Sequence, residues 1–210
     1  MTNTLYTDIF TDGPVLIGRK WFKTPGQFNY AVPAGAKFCR ALMCGSGGQG
    51  SNWGGSGAFA RVKFPVTPAE NLKIQVGNSQ TASTAGNSSV SRNDNTVLGL
   101  ADRGRGGTGF TNSGTPGLAS NSIGDVLRDG VNGSDTGTAG GAPASDAADF
   151  GGFGFGGNGC VQTSNNGADF GGGGHNTPYN DDSGVFIGYL PFLAGTGVVV
   201  LEFFDTDPGY

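Results

Sequence analysis

The chain has 210 residues, of which 42 are glycine and only 13% are charged, and its formal net charge is −4. Glycine is about three times as common as in an average protein, whereas disordered chains usually carry far more charge. The few lysines and arginines are scattered, so the basic patch expected of a nucleic-acid-binding protein is missing. We therefore expect one domain and no nucleic-acid partner.

The beginning of the chain, MTNTLYTDIF, has neither the basic region nor the apolar stretch of a signal peptide. The sequence also has no run of 18 apolar residues that would predict a membrane span. We expect a protein that is made and assembled in a cell's cytoplasm.

The first clear strand is AKFCRALMC, which contains Cys39 and Cys44. Five residues of strand span about 17 Å and place these two side chains on opposite faces, beyond disulfide reach. We expect two reduced core cysteines. Cys160 follows a glycine tract and is expected to be more exposed, and an odd number of cysteines argues against a disulfide framework.

Further strands are predicted on both sides of a long glycine-rich stretch. Residues 58–66 and 71–76 alternate apolar with polar side chains, which is typical of half-buried strands. Residues 195–204 are apolar on both faces and predict a buried strand that pairs with early strands. The stretch SIGDVLRDGV, from Ser122, predicts the only short helical turn, ended by Gly130.

From about residue 77 to residue 179 the chain is mostly Gly, Ser, Thr, Asn and Ala. A polyproline-II-type chain has three residues per turn. With three residues per turn, ADFGGFGFGGNG would place Gly151, Gly154 and Gly157 along one edge that carries no side chain. The glycine tract after AKFCRALMC would have a similar edge that includes Gly45 and Gly48. The predicted fold class is all-β with an irregular glycine-rich part, in which terminal strands form a small sheet beside packed polyglycine-II-like rods. The alternative is a flexible low-complexity linker.

A resemblance to a known domain rests on FNYAVPAGAKFCRALMCGSGGQG and on GGSGAFARVKFPVTPAENLKIQVGNSQ. These stretches resemble the glycine-rich domain at the ends of many phage tail fibres. The shared order is the motif VPAG, a strand that runs into a glycine tract, the motif VTP, a second strand and the pair VG. The later NSSVS, NTVLGLADRGRGGTG and GTGVVVLEF fit the same order of elements.

The resemblance implies a virion protein whose glycine-rich motifs form packed rods, similar to the fibre-tip adhesins of T-even-like phages. Residues 1–20 lie outside the match and are assigned to a segment that mounts the protein on other virion proteins, and residues 21–210 are assigned to the glycine-rich domain. The expected function is binding to a host surface glycan or outer-membrane protein. The alternative is a structural capsid or tail decoration protein, and self-association into homo-oligomers stays open.

Aromatic and amide side chains beside the second half of the glycine-rich stretch are the candidate receptor-binding residues. Small neighbours cannot bury the aromatic rings fully, and asparagine offers a paired donor and acceptor. The candidates are Phe153, Phe155, Asn158, His175, Asn176 and Tyr179. In the alternative interpretation, Phe150, Phe153 and Phe170 fill the space between rods and a strand layer as ordinary core.

Catalysis and cofactor binding are not expected from the sequence. His175 is the single histidine, which excludes His-pair metal sites. Asp169, Asp181 and Asp182 could offer oxygen ligands to calcium, but they lack EF-hand spacing and a solvated acidic loop is the favoured interpretation. The G-x-G-x-x-G matches reflect the abundance of glycine. We therefore predict no catalytic residue, no cofactor and no bound metal.

Overall fold

The computed structural model describes residues 13–48, 54–79, 86–106, 114–133, 171, 176–180, 186–191 and 194–209. Within these ranges the secondary structure consists of β-strands and a 3-10 turn at Ala119–Asn121, without an α-helix. All described strand pairs are antiparallel, which confirms the predicted all-β class. The strands are β1 Leu16–Phe22, β2 Gly26–Ala31, β3 Phe38–Cys44, β4 Phe59–Pro65, β5 Asn71–Val76, β6 Ser88–Arg92, β7 Val97–Ala101, β8 Val126–Arg128, β9 Asn176–Asn180, β10 Phe186–Pro191 and β11 Val198–Phe204.

The strands form a five-stranded sheet in the order β1-β11-β3-β4-β8, a four-stranded sheet in the order β2-β5-β6-β7, and the pair β9 and β10. Strand β11 is buried along its whole length because all of its residues except Glu202 are apolar and it lies between two neighbours. It pairs with β1 and β3, as the sequence predicted.

The two larger sheets share one hydrophobic core, so this part of the molecule is a β-sandwich. Alternate residues of β4 and β5, such as Val62 and Ile74, point into this core, in agreement with the period of two in their sequences. Tyr30 of β2 stacks on Phe203 of β11 with ring centroids 5.7 Å apart. Large side chains therefore fill the space between the sheets.

A second apolar cluster lies on the other face of the five-stranded sheet and contains Phe59 and Val198. Cys39 belongs to the first cluster and Cys44 to the second, and both are free and buried. The predicted placement of these two cysteines is thus confirmed. Burial raises the pKa of the Cys44 thiol to about 12, and burial is also the main cause of the raised pKa of Cys39.

A buried carboxylate joins three neighbouring strands of the five-stranded sheet. Glu202 of β11 lies between Arg19 of β1 and Arg40 of β3 in the strand register. One carboxylate oxygen is 2.5 Å from Arg19 Nη2, and the other accepts from Arg40 Nε and Nη2 at 2.7 Å. The two guanidinium groups satisfy a charge that would otherwise be costly to bury.

The predicted helical turn in SIGDVLRDGV is wrong. Val126–Arg128 form β8, which pairs with Arg61, Ala60 and Phe59 of β4. Val126 packs on the second cluster and Leu127 on the first, so consecutive side chains point to opposite faces. Pairing with a neighbouring strand has overridden the weak local helix signal.

The sequence-based division between residues 1–20 and 21–210 falls inside β1. Residues from Leu16 onwards pair with β11, so the sheet includes the end of the segment assigned to mounting. Residues 1–12 lie outside the described ranges, and their role stays a prediction.

Candidate functional site

Glycine-rich segments continue the strands of both sheets at one end of the sandwich. We call them together the glycine bundle, and its segments are residues 45–48, 54–58, 77–79, 86–87, 102–106, 114–117, 130–133 and 194–197. Seven of them follow β3, β5, β7 and β8 or precede β4, β6 and β11, and residues 114–117 precede the 3-10 turn. Antiparallel pairing places all of these strand ends on the same side of the molecule.

In the bundle, segments that extend different sheets are joined by direct backbone hydrogen bonds. Gly197 N donates to Gly77 O at 2.9 Å, and Ala58 N donates to Asp102 O at 2.8 Å. Packed sheets normally lie about 10 Å apart, whereas hydrogen-bonded strands lie about 4.8 Å apart. The two layers therefore close to hydrogen-bonding distance where large side chains give way to glycine.

The hydrogen bonds of residues 45–48 point in three directions. Gly45 N and Gly48 N donate to Ala58 O and Gly55 O of one neighbouring segment, at 3.0 and 2.9 Å. Between them, Ser46 N donates to Gly86 O and Gly47 N donates to Gly195 O, both at 2.9 Å. The donor direction repeats after three residues, whereas in a flat sheet it alternates between two neighbours.

The segment 54–58 repeats this pattern. Gly55 N and Ala58 N donate to Arg105 O and Asp102 O of one neighbour. Ser56 N and Gly57 N donate to Val131 O and Gly171 O at 3.0 and 2.9 Å. Each of these two segments is thus hydrogen-bonded to several neighbours around its axis.

Close backbone approach explains why these positions are glycine. A Cβ atom added to Gly45, Gly48 or Gly104 would lie closer than 3.0 Å to backbone atoms of the adjacent segment. Gly57 has the same restriction, because its Cβ would meet the backbone of Gly45. The requirement here is space and does not come from a positive φ angle.

Ser88 closes the junction between the sandwich and the bundle. Its fully buried hydroxyl accepts a hydrogen bond from Gly77 N at 3.1 Å and donates one to Cys44 O at 2.7 Å. This side chain connects the end of β5 to the end of β3 across the two sheets. The hydroxyl group thus gives hydrogen-bond partners to two backbone groups at the point where the two sheets begin to approach each other.

Asp102 holds a loop against the side of the bundle. Its buried Oδ2 accepts from Leu118 N at 3.1 Å, from Arg105 Nη1 at 3.2 Å and from Asn121 Nδ2 at 3.3 Å. The carboxylate replaces the hydration that it loses on burial with three donors. Sequence reasoning missed Asp102 and Ser88, although a single acidic residue inside GLADRGRGG was a signal for the former.

The level of the bundle farthest from the sheets is defined by four hydrogen bonds. They are Gly48 N to Gly55 O, Gly55 N to Arg105 O, Arg105 N to Thr115 O and Gly133 N to Gly114 O. These bonds join residues of the segments 45–48, 54–58, 102–106, 114–117 and 130–133. Five segments of the bundle are therefore fixed to one another at this level.

The structure tests few of the predicted receptor-binding residues. Phe153, Phe155, Asn158 and His175 lie outside the described residues, as do the alternative core residues Phe150 and Phe170, and also Cys160. Asn176 begins β9, where it pairs with Pro191 of β10, and Tyr179 pairs with Gly188. The structure therefore places Asn176 and Tyr179 on one short strand, and the role of the whole set stays a prediction.

Comparison with protein-family models matches no family, and comparison with curated proteins finds no similar sequence. Among the described residues, no helix is long and apolar enough to cross a membrane.

Proposed function

We propose that this chain is a phage virion structural protein that acts as a tail-fibre or tail-tip adhesin, and that its glycine bundle consists of packed polyglycine-II-like rods. The rods are supported by the threefold repeat of donor directions at residues 45–48 and 54–58. A chain with three residues per turn and no internal hydrogen bonds presents its N–H groups in this way.

The observation that carries the proposed function is the packing of five bundle segments into one hydrogen-bonded scaffold at the far level of the bundle. Backbone hydrogen bonds connect Gly48 to Gly55, Gly55 to Arg105, Arg105 to Thr115 and Gly133 to Gly114 there. Recognition residues are commonly carried by loops on a rigid scaffold. In this proposal the bundle is the rigid scaffold that presents recognition residues to a host surface, and Phe153, Phe155, Asn158 and His175 stay the predicted candidates.

The proposed action is binding and not catalysis. Both described thiols, Cys39 and Cys44, are buried and have raised pKa values, so neither is an activated nucleophile. The host partner is proposed to be a surface glycan or an outer-membrane protein.

The proposal is tested with purified full-length chain on host cells. The wild-type protein should bind cells and reduce phage attachment, and the double variant His175→Ala, Tyr179→Ala should bind at least about thirtyfold more weakly, since aromatic anchors commonly contribute 2 kcal/mol or more. The control is Val97→Ala with Ile123→Ala, which shortens two exposed side chains of the sandwich. Unchanged cell binding by the double variant would refute the assigned receptor-binding residues.

A decoration protein is the second candidate function, and exposed apolar residues at the start of β1 favour it. Val15 and Leu16 are 59% and 46% exposed, and β1 is an edge strand of its sheet. Exposed apolar residues beside an edge strand are suited to contact with another virion protein. If the purified chain binds phage particles and not host cells, the adhesin proposal fails and this one replaces it.

A further inference from the structure

The outer face of the four-stranded sheet carries an open depression of about 610 Å³. Its polar side chains come from three adjacent strands and from the turn after β6, and we call them the amide face: Gln27, Asn29, Lys73, Gln75, Ser89, Ser91 and Asn95. A volume of this size lies within the range of about 300–1,000 Å³ that is common for small-molecule sites. The depression lies on the flank of the sandwich, apart from the glycine bundle.

Strand register arranges the amide face in two rows. Gln27 lies beside Gln75, which lies beside Ser89, and Asn29, Lys73 and Ser91 are neighbours in the same way. Adjacent strands are about 4.8 Å apart, and residues two apart on one strand are separated by nearly 7 Å. Six polar side chains therefore form a regular, shallow grid.

Most polar atoms of this grid are available to a ligand. Within the described part of the chain, the side chains of Gln27, Asn29, Ser89 and Ser91 make no hydrogen bond. Gln75 uses only one amide hydrogen, in a 3.0 Å bond to Val76 O. Amides and hydroxyls both donate and accept, which matches the hydroxyl groups of a sugar.

Lys73 is the charged residue of the depression, and no carboxylate lines it in the described part of the chain. Its Nζ donates to Asn95 Oδ1 at 2.9 Å, which leaves further donors of the ammonium group free. Asn95 has a φ of +69° in the turn between β6 and β7, a conformation that asparagine tolerates, and the turn positions its side chain beside Lys73. An anionic group of the ligand would complement this uncompensated positive charge.

We propose that the amide face binds an acidic oligosaccharide, with its hydroxyls on the amide grid and its anionic group on Lys73. Phe28 and Ile74 also border the depression, but both pack towards the sandwich core. A protein interface normally needs exposed apolar or aromatic anchors, which this lining lacks. The proposal concerns a site distinct from the far level of the bundle and does not rest on the virion role.

The test uses the full-length chain on a printed array of neutral, carboxylated and phosphorylated bacterial oligosaccharides. We expect binding to acidic glycans, and the carboxylated and phosphorylated arms identify the source of the anionic group. Lys73→Gln should weaken acidic binding at least tenfold. Gln27→Ala with Gln75→Ala should weaken it several-fold with little change in the thermal midpoint, because Gln27 is exposed and Gln75 is only half-buried on the outer face. The matched control is Lys37→Gln, which removes an exposed lysine outside the depression and should change nothing.

Two results would overturn the proposal. One is the absence of binding to every acidic glycan on the array. The other is binding that Lys73→Gln and the double glutamine variant leave unchanged, since the sugar would then be held elsewhere. If the double variant His175→Ala, Tyr179→Ala loses host-cell binding but keeps its binding to the array, the amide face and the proposed receptor contact are different sites.

Discussion

The strands of the sandwich continue into the segments of the glycine bundle, but different interactions hold the two regions together. In the sandwich, residues such as Ile74 and Phe203 fill the gap between sheets with apolar side chains. In the bundle, residues such as Gly45 and Gly197 leave no gap, and backbone groups of the two layers bond directly. Burial of apolar area is therefore replaced by closely spaced backbone hydrogen bonds, which must compensate for the high entropy cost of ordering glycine.

The strongest test of backbone packing in the bundle, as opposed to side-chain packing in the sandwich, is to add one methyl group to a bundle glycine. Gly57→Ala should lower the free energy of unfolding by at least about 3 kcal/mol, because the new Cβ meets the backbone of Gly45 and strands buried peptide groups. Urea unfolding measures the change.

Two matched substitutions give the scale for this result. A Cβ at Gly99, in β7, would meet side-chain atoms of Met43 and Val62 and not backbone, and the Met43 methyl group can move, so Gly99→Ala should cost about 1–2 kcal/mol. Gly18 has no atom within 4 Å of an added Cβ, and Gly18→Ala should stay within about 0.5 kcal/mol of wild type. Equal midpoints for all three variants would contradict close backbone packing in the bundle.

The junction between the two regions should respond to loss of one hydroxyl. Ser88→Ala leaves Gly77 N and Cys44 O without their partner, which should cost about 1–3 kcal/mol. Ser89→Ala is the control, because that side chain lies on the outer face and is only partly buried. A thermal midpoint for Ser88→Ala equal to that of Ser89→Ala would show that the hydroxyl does not hold the layers together.

The smallest expected effect is at the sandwich end farthest from the bundle and depends on pH. A hydrogen bond from Val15 N lowers the pKa of Asp205 below 3.8. Because the folded-state pKa is depressed, this contribution to stability is present above pH 4 and is lost as the pH falls through the folded-state pKa. The thermal midpoint of Asp205→Asn should therefore fall less steeply than that of wild type between pH 4 and pH 2.5. If the thermal midpoints of the variant and the wild type fall in parallel over this pH range, the lowered pKa of Asp205 is contradicted.

Strong periodic patterns predicted the centre of the fold. The alternation in residues 58–66 and 71–76 gave β4 and β5, and the apolar run 195–204 gave the buried β11. Strand β2 was missed although Gln27 and Asn29 alternate with Phe28 and Tyr30, because this alternation covers only four residues and is at the lower limit of the pattern. Strand β8 was misread because three residues carry little periodic signal and β4 determines their conformation.

The candidate site was less predictable than the fold. The edge that contains Gly45 and Gly48 was found by reading the tract in threes, and both residues donate to the same neighbour. The identity of that neighbour depends on which distant segments converge, such as residues 102–105 and Gly195, and one sequence does not reveal this. Four of the six predicted receptor-binding residues lie outside the described residues, so their role stays a prediction.

Native-state hydrogen exchange of the amides of residues 45–48 and 55–58 tests the central claim most directly. Each of these N–H groups donates to a defined backbone carbonyl. All eight amides should therefore be protected consecutively, with opening free energies within about 1 kcal/mol of those of the adjacent β3. Exchange of these amides at the rate of an unstructured peptide, while β3 stays protected, would show that the glycine-rich segments form a flexible linker and not a packed scaffold.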